Sequence, residues 1–131
     1  MNFLVNLILI LNVGYLLGSE RQTSHNLIGV RTVSLILLGS FIFTHISTQI
    51  GGDPSRIIAQ IVSGIGFIGA GIIFKDGVKK IKNLTTAVLV WVLAGLGCII
   101  ALSMYKEAVT ITALVYIILK FYKKLFGHED R

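Results

Sequence analysis

The sequence predicts an all-α, polytopic membrane protein: a bundle of about five transmembrane helices. Of its 131 residues, 54% are hydrophobic and only 14% are charged. The apolar residues fall in long blocks without amphipathic periodicity, which is typical of helices surrounded by lipid. Because one span of the hydrocarbon core needs about 17 to 25 mainly apolar residues, these blocks set the number of helices.

Five blocks are candidates for these spans. They are Asn2 to Gly18, Val33 to Ile50, Ile57 to Phe74, Leu84 to Leu102 and Val109 to Tyr122. The first four have the length of a span, and the fifth is short. We therefore expect a transmembrane domain over residues 1–126 and a short cytoplasmic tail over residues 127–131, with no soluble C-terminal domain.

The lysine and arginine residues predict the orientation. With five spans, the loops after the first and third helices lie on the same side as the C-terminus, and this side holds ten of the twelve Lys and Arg residues. Only Arg56 and Lys106 lie opposite. Since cytoplasmic loops carry excess positive charge, we expect the N-terminus outside and the C-terminus in the cytoplasm. A cysteine added after Arg131 should then resist an impermeant thiol reagent in intact cells.

The net charge of +6 has the same explanation. In a soluble domain, a pI near 9.7 would favour a nucleic-acid partner. Here the cations lie at the membrane edges, where they orient the chain and meet anionic headgroups. We therefore expect the lipid bilayer as a partner and no nucleic acid.

A glycine-rich stretch, SGIGFIGAG, lies inside the third block at residues 63–71. Gly64, Gly66 and Gly69 have the spacing of a dinucleotide-binding turn, but that fingerprint requires a preceding strand and an acidic residue about 20 positions later. Both are missing, and small residues in lipid allow close helix packing. The alternative is a backbone left open to line an ion or water path. The predicted packing surface comprises Gly64, Gly66, Gly69, Ala70 and Gly71, with Trp91 against it.

Polar residues at the block edges predict two polar clusters. Glu20, Arg21 and Arg31 form the cytoplasmic cluster, in which a short loop brings Glu20 and Arg31 together as a charge-assisted pair. Thr85 or Thr86 is expected to cap the fourth helix nearby. The alternative interpretation is that such charges only mark the membrane edges.

The second cluster is external and comprises Asp53, Arg56 and Gln60. Arg56 and Gln60 are four residues apart and share one helix face. Asp53 and Pro54 are typical of a helix start, where the carboxylate caps free amides and the missing N–H of proline costs nothing.

Neither an enzyme nor a cofactor is expected. The sequence has no nucleophile and base pair, and no two of its histidines are placed to share a metal. Magnesium is the one candidate ligand, but it prefers oxygen ligands, usually carboxylates. All six acidic residues lie at predicted membrane edges or in the tail. A ring of Glu20 or Asp53 at an oligomer axis is the remaining route for this ion.

The order of several motifs resembles the MgtC/SapB family of bacterial inner-membrane proteins. These motifs, between about Gly18 and Gly97, are SERQ, GVRT, LLG, DPSRIIAQIVSGIGFIGAG, NLTTA and Trp91. The resemblance implies a multi-pass protein of the bacterial plasma membrane, linked to survival in low magnesium and, in some pathogens, inside host cells. Many members carry a cytoplasmic C-terminal domain, whereas this sequence stops nine residues after Tyr122, so we expect no function that depends on that domain.

Two functions are compatible with these observations. The resemblance implies a regulator of adaptation to low magnesium and of ion homeostasis, which acts through other membrane proteins. A homo-oligomer is a further candidate assembly. The abundance of small residues suited to helix packing favours this interpretation. The alternative is a transporter or channel for Mg²⁺, which the lack of an acidic residue at mid-depth disfavours.

Overall fold

A computed structural model describes residues 3–23, 28–74 and 83–126, and these residues form five helices and no strand. The helices are α1 (Phe3–Thr23), α2 (Val30–Gln49), α3 (Pro54–Phe74), α4 (Leu84–Ala101) and α5 (Tyr105–Phe126). The predicted all-α fold is confirmed. The predicted tail and the cationic loop at 75–82 lie outside the described residues.

Four of these helices, α1 to α4, are long and apolar enough to cross a membrane. The fifth helix has 22 residues, more than its apolar block suggested. It carries Lys106 and Glu107 in its first turn and Lys120 near its other end, so its composition is less apolar than that of the others. The fifth span and the orientation of the termini therefore stay predictions.

Contacts between helix ends show how the helices run. The start of α1 contacts the start of α5, since Tyr105 donates a hydrogen bond to Asn6 Oδ1 at 2.7 Å. The start of α1 also contacts the end of α2, where the ring centroids of Phe3 and His45 are 5.3 Å apart. The helices thus alternate in direction along the chain. We call the two ends of the bundle the Arg21 end and the Asn6 end, after residues of α1.

The centre of the bundle is α4, which contacts every other helix. Its side chains Val90, Leu93, Leu96 and Ile100 are fully buried, together with Leu37 and Phe41 of α2. By contrast, α3 contacts only α2 and α4, and Gly69 is its only buried residue within 54–73. The tightly packed central helix is therefore α4 and not α3, the helix that carries the predicted glycine packing surface.

The closest helix contacts are made by glycines outside the predicted packing surface. A Cβ atom on Gly97 of α4 would collide with Ser40 and the backbone of Leu37, and a Cβ atom on Gly18 of α1 would collide with the backbone of Val30. Both glycines therefore bring their helices against α2 at a distance that no side chain permits. As a result, α2 packs closely against α1 on one side and against α4 on another.

Candidate functional site: a buried arginine at one end of the bundle

Arg21 is buried within the protein, although it lies only two residues from the end of α1. Its side chain is 4% exposed, and its Nη2 donates a hydrogen bond of 2.6 Å to Oγ1 of Thr86. Thr86 is fully buried in the first turn of α4. This bond joins the end of α1 to the start of the central helix.

A buried guanidinium is costly unless polar groups surround it, and ionisable residues within membrane helices are functional candidates by default. Two polar residues accompany the pair. Glu20 precedes Arg21 and has a buried carboxylate oxygen, and Asn83 is buried at the N-cap position of α4 with a φ of 63°. Asparagine tolerates this left-handed conformation better than most residues. We call Glu20, Arg21, Asn83 and Thr86 the Arg21 cluster.

The sequence predicted only half of this cluster. Glu20 and Arg21 are predicted because they are charges that end an apolar block. Thr86 was predicted as a possible helix cap, which is wrong because Asn83 occupies the cap position and Thr86 lies inside the helix. In the sequence, a threonine in the first turn of an apolar helix looks the same whether it caps the helix or accepts a hydrogen bond from another helix.

Arg31 does not belong to the cluster. It is exposed at the start of α2, and no hydrogen bond or ion pair joins it to Glu20 among the described residues. The predicted Glu20–Arg31 pair is therefore wrong. The reason is helical geometry: α2 buries Val33, and a residue two positions away points about 200° around the helix axis. Arg31 thus points outward from the bundle.

At the Asn6 end, Asp53 caps α3 as predicted. Its Oδ1 accepts a hydrogen bond of 3.0 Å from the backbone N–H of Ser55. Hydrogen bonds from Ser55, from its side chain first and its backbone second, lower the pKa of the Asp53 carboxyl below its ordinary value. Asp53, Arg56 and Gln60 are all exposed, and the described contacts include no bond between their side chains. They form an open surface and not a closed cluster.

Among the residues that the structure describes, the predicted glycine surface is mostly without a neighbouring helix. Only Gly69 approaches another helix, with a Cβ position 3.6 Å from the backbone oxygen of Ala87. Cβ positions at Gly64, Gly66 and Gly71 have no atom within 4 Å, and Ala70 is half-buried. The predicted packing of Trp91 on this surface is wrong. Its side chain is 54% exposed, and none of its atoms lies within 4 Å of the Cβ position at Gly66 or Gly69.

The acidic residues of the described segments are dispersed. Glu20 lies in the last turn of α1, Asp53 precedes α3 and Glu107 lies in the first turn of α5. Within 3–23, 28–74 and 83–126, no three His, Cys, Asp or Glu side chains are grouped so that they could hold a metal ion. His45 packs instead against aromatic rings, with its centroid 5.3 Å from those of Phe3 and Phe41. Through Phe3, His45 of α2 contacts α1.

Known proteins of one family are similar to this chain over most of its length. Residues 7–127 match the model of the MgtC family. The chain belongs to the MgtC family. It is 39% identical over 114 residues to Protein MgtC of Salmonella typhimurium, which covers 86% of this chain and 49% of that protein. It is 42% identical over 105 residues to Protein MgtC of Brucella abortus, covering 79% of this chain and 44% of that protein.

The family resemblance that the motifs predicted is thus confirmed. The chain spans about half the length of the curated MgtC relatives that it matches. No solved structure matches it. Family membership and the apolar helices together indicate a membrane protein of the MgtC type.

Proposed function

We propose that this MgtC-family chain is a regulator of adaptation to low magnesium in the bacterial plasma membrane. In this proposal it does not transport Mg²⁺ and acts through contacts with other membrane proteins, among which a second copy of the chain is a candidate. Its termini are oriented as the cations predict, so that the Arg21 cluster faces the cytoplasm.

The observation that carries the proposal is the closed apolar centre of the bundle. Leu37, Phe41, Leu93, Leu96 and Ile100 are at most 1% exposed and fill the space around α4. Magnesium gives up its hydration water reluctantly and needs oxygen ligands in its place. These side chains offer none, so the interior of one chain is unsuited to a hydrated cation.

The polar side chains at mid-depth are already engaged within the bundle. Ser40 donates hydrogen bonds to backbone oxygens of its own helix. Thr44 donates to Sγ of Cys98 at 3.3 Å, which links α2 to α4. Such bonds hold helices together in lipid. They stabilise the bundle.

The surface available to a partner is the outer side of α3. Phe67 is 87% exposed there, and Ser63 and Gly66 are exposed beside it. Small and hydroxyl-bearing residues allow close approach of another transmembrane helix, and a neighbouring aromatic ring adds contact area. This composition supports association with another membrane protein.

A flux measurement tests the first part of the proposal. Purified chain is reconstituted into liposomes that contain a Mg²⁺-sensitive dye, and Mg²⁺ is added outside. We expect entry at the rate of protein-free liposomes. Faster entry that Glu20→Gln or Asp53→Asn abolishes would contradict the proposal and identify a transporter.

A growth assay tests the second part. The chain is expressed in a bacterium that lacks its own MgtC protein and is grown in low magnesium. We expect Gly66→Leu to impair growth at wild-type expression, because the leucine side chain would obstruct the α3 surface. The matched control is Gly95→Leu, since Gly95 of α4 is equally open, with nothing within 4 Å of its Cβ position. Equal growth of both variants would show that the α3 surface is not used.

A further inference from the structure

An open groove of about 620 Å³ runs between α2 and α3, with Ala94 of α4 at its base. Six positions of α2 line it, from Thr32 to Phe43, and six positions of α3 line it at the same spacing, from Ile57 to Ile68. The lining is almost entirely apolar. A groove of this kind on a membrane helix bundle does not stay empty or fill with water, because neither is stable against apolar walls at hydrocarbon depth.

Two glycines create the groove. Gly39 of α2 and Gly64 of α3 both line the middle of the groove, on opposite walls. A Cβ atom at either position would have no neighbour within 4 Å. The space is therefore left by the absence of two side chains on facing helices and not by a gap in the core.

The dimensions of the groove fit a lipid chain. From Thr32 to Phe43 the helix rises about 16 Å, which is close to half of the roughly 30 Å hydrocarbon core and hence to the depth of one leaflet. The groove is open along its side and apolar over this length, so a flexible acyl chain can follow its walls from one end to the other.

Charge at the two ends of the groove distinguishes them. Arg31 immediately precedes the first lining residue of α2 and is exposed. The first turn of α2 has no side-chain cap, so its free amides add positive character beside Arg31. At the other end Arg56 immediately precedes Ile57, but the exposed carboxylate of Asp53 lies three residues before it. A phosphate group is therefore favoured at Arg31 and opposed at Arg56.

We infer that the groove between α2 and α3 binds one anionic phospholipid, with an acyl chain along Gly39 and Gly64 and its headgroup phosphate at Arg31. This lipid completes the wall between two helices that contact each other little on this side. The inference is independent of whether the protein regulates or transports.

Quenching of a single tryptophan by brominated lipids tests the inference. Trp91, the only tryptophan of the chain, is first replaced by phenylalanine. A reporter is then placed in the groove by Leu35→Trp, one turn from Arg31. Its matched control is Phe67→Trp, which lies on α3 outside the groove lining, near the level of Ile68. Both proteins are reconstituted into vesicles of phosphatidylglycerol and phosphatidylcholine in which one lipid at a time is brominated.

At position 35 we expect phosphatidylglycerol to be preferred over phosphatidylcholine about fivefold, the factor that one cation near an anionic lipid provides. At position 67 we expect no preference. Arg31→Gln should remove the preference at position 35. Gly64→Leu should reduce quenching there by either lipid because it fills the groove, whereas Gly95→Leu should leave it unchanged.

Three results would overturn the inference. Equal lipid preference at positions 35 and 67 would show that the groove holds only bulk lipid. A preference that persists in the Arg31→Gln protein would show that this residue does not bind the phosphate. Weak quenching by both lipids at position 35 with an unmodified Gly64 would show that a protein segment, from a second copy or a partner, covers the groove. Gly39→Leu provides the same filling as Gly64→Leu from the opposite wall, so a folding defect in one variant does not prevent the test.

Discussion

The third and fourth helices pack against each other, and both qualify as membrane spans, yet they differ in how much of each is buried. In α4, 61% of the span is buried inside the bundle, and in α3 only 6% is buried. In water such a difference would follow from hydrophobicity. In lipid it does not, because apolar side chains gain little by leaving the acyl chains for a protein surface. The difference follows instead from where the small residues lie.

The glycines of the two helices differ in what lies next to them. Gly97 of α4 lies where the backbone of α2 comes closest, while Gly64, Gly66 and Gly71 of α3 face open space. The first kind of glycine stabilises the fold, and the second kind leaves room for something outside the chain. The proposals for a partner protein and for a bound lipid both depend on the second kind.

The largest expected effect comes from filling the first kind. Gly97→Leu places a side chain against backbone atoms of Leu37 and Phe41, which cannot move aside. Overpacking of this kind should destabilise the bundle by more than about 3 kcal/mol and abolish a monodisperse peak in size exclusion. Gly66→Leu should leave the folded monomer intact in the same assay. Similar profiles for the two variants would invalidate the distinction between the two helices.

The next largest effect concerns the polar contact of α4 with α1. Thr86→Val removes the hydroxyl that accepts from Arg21 and should cost about 2 kcal/mol of unfolding free energy, because a buried charged donor loses an acceptor. The double variant Arg21→Met, Thr86→Val should be less destabilised than the sum of the single variants. Thermal unfolding in detergent measures this cycle. Additive effects would show that the bond contributes nothing of its own.

The sequence predicted the helices well because hydropathy is a local property. The block Leu84 to Leu102 became α4 over Leu84–Ala101, and Ile57 to Phe74 became α3 over Pro54–Phe74, extended by the turn that Asp53 caps. Which of the two helices is the more buried was not predictable from hydropathy. Which glycine meets a neighbouring backbone depends on how the helices are rotated and assembled, and no single helix carries that information.

The contacts of the Arg21 cluster were likewise not predictable from the sequence of one helix. Arg21 was identifiable as a charge at the edge of an apolar block, but its acceptor Thr86 lies 65 residues later in the chain. Arg31, equally charged and equally close to the membrane edge, is exposed. Only the rotation of α2, set by the burial of Val33, Leu37 and Phe41 against its neighbours, separates the two arginines.

A smaller effect is expected at Gly69, where α3 lies against Ala87 of α4. A Cβ atom at Gly69 would lie 3.6 Å from the oxygen of Ala87 and 3.9 Å from its Cβ, which are ordinary contact distances. Gly69→Ala should therefore be neutral or stabilising within about 1 kcal/mol. Gly69→Leu should separate the helices and destabilise by about 1 to 3 kcal/mol. Cross-linking between cysteines introduced on α3 and α4 reports the separation, and equal cross-linking yields in both variants would contradict this anchor.

The smallest effect should appear at the start of α3, where Asp53 caps the helix with the fewest buried residues among the five described helices. Hydrogen bonds from Ser55 lower the pKa of this carboxyl, so its capping contribution is present above the ordinary aspartate value of about 3.9 and is lost as the pH falls through the lowered value. Amide protection in the first turn of α3, corrected for the intrinsic pH dependence of exchange, should be constant between about pH 7 and 5 and should fall below about pH 4.

Two variants test the origin of that change. Asp53→Asn keeps an acceptor oxygen for Ser55 and should remove the acid-dependent step, whereas Asp53→Ala should raise exchange at every pH. The first turn of α4, whose cap position is Asn83 and carries no carboxylate, is the internal reference and should show no such step. If both helix starts respond alike to acid, the response belongs to the whole bundle, and α3 is not the more weakly held of the two helices.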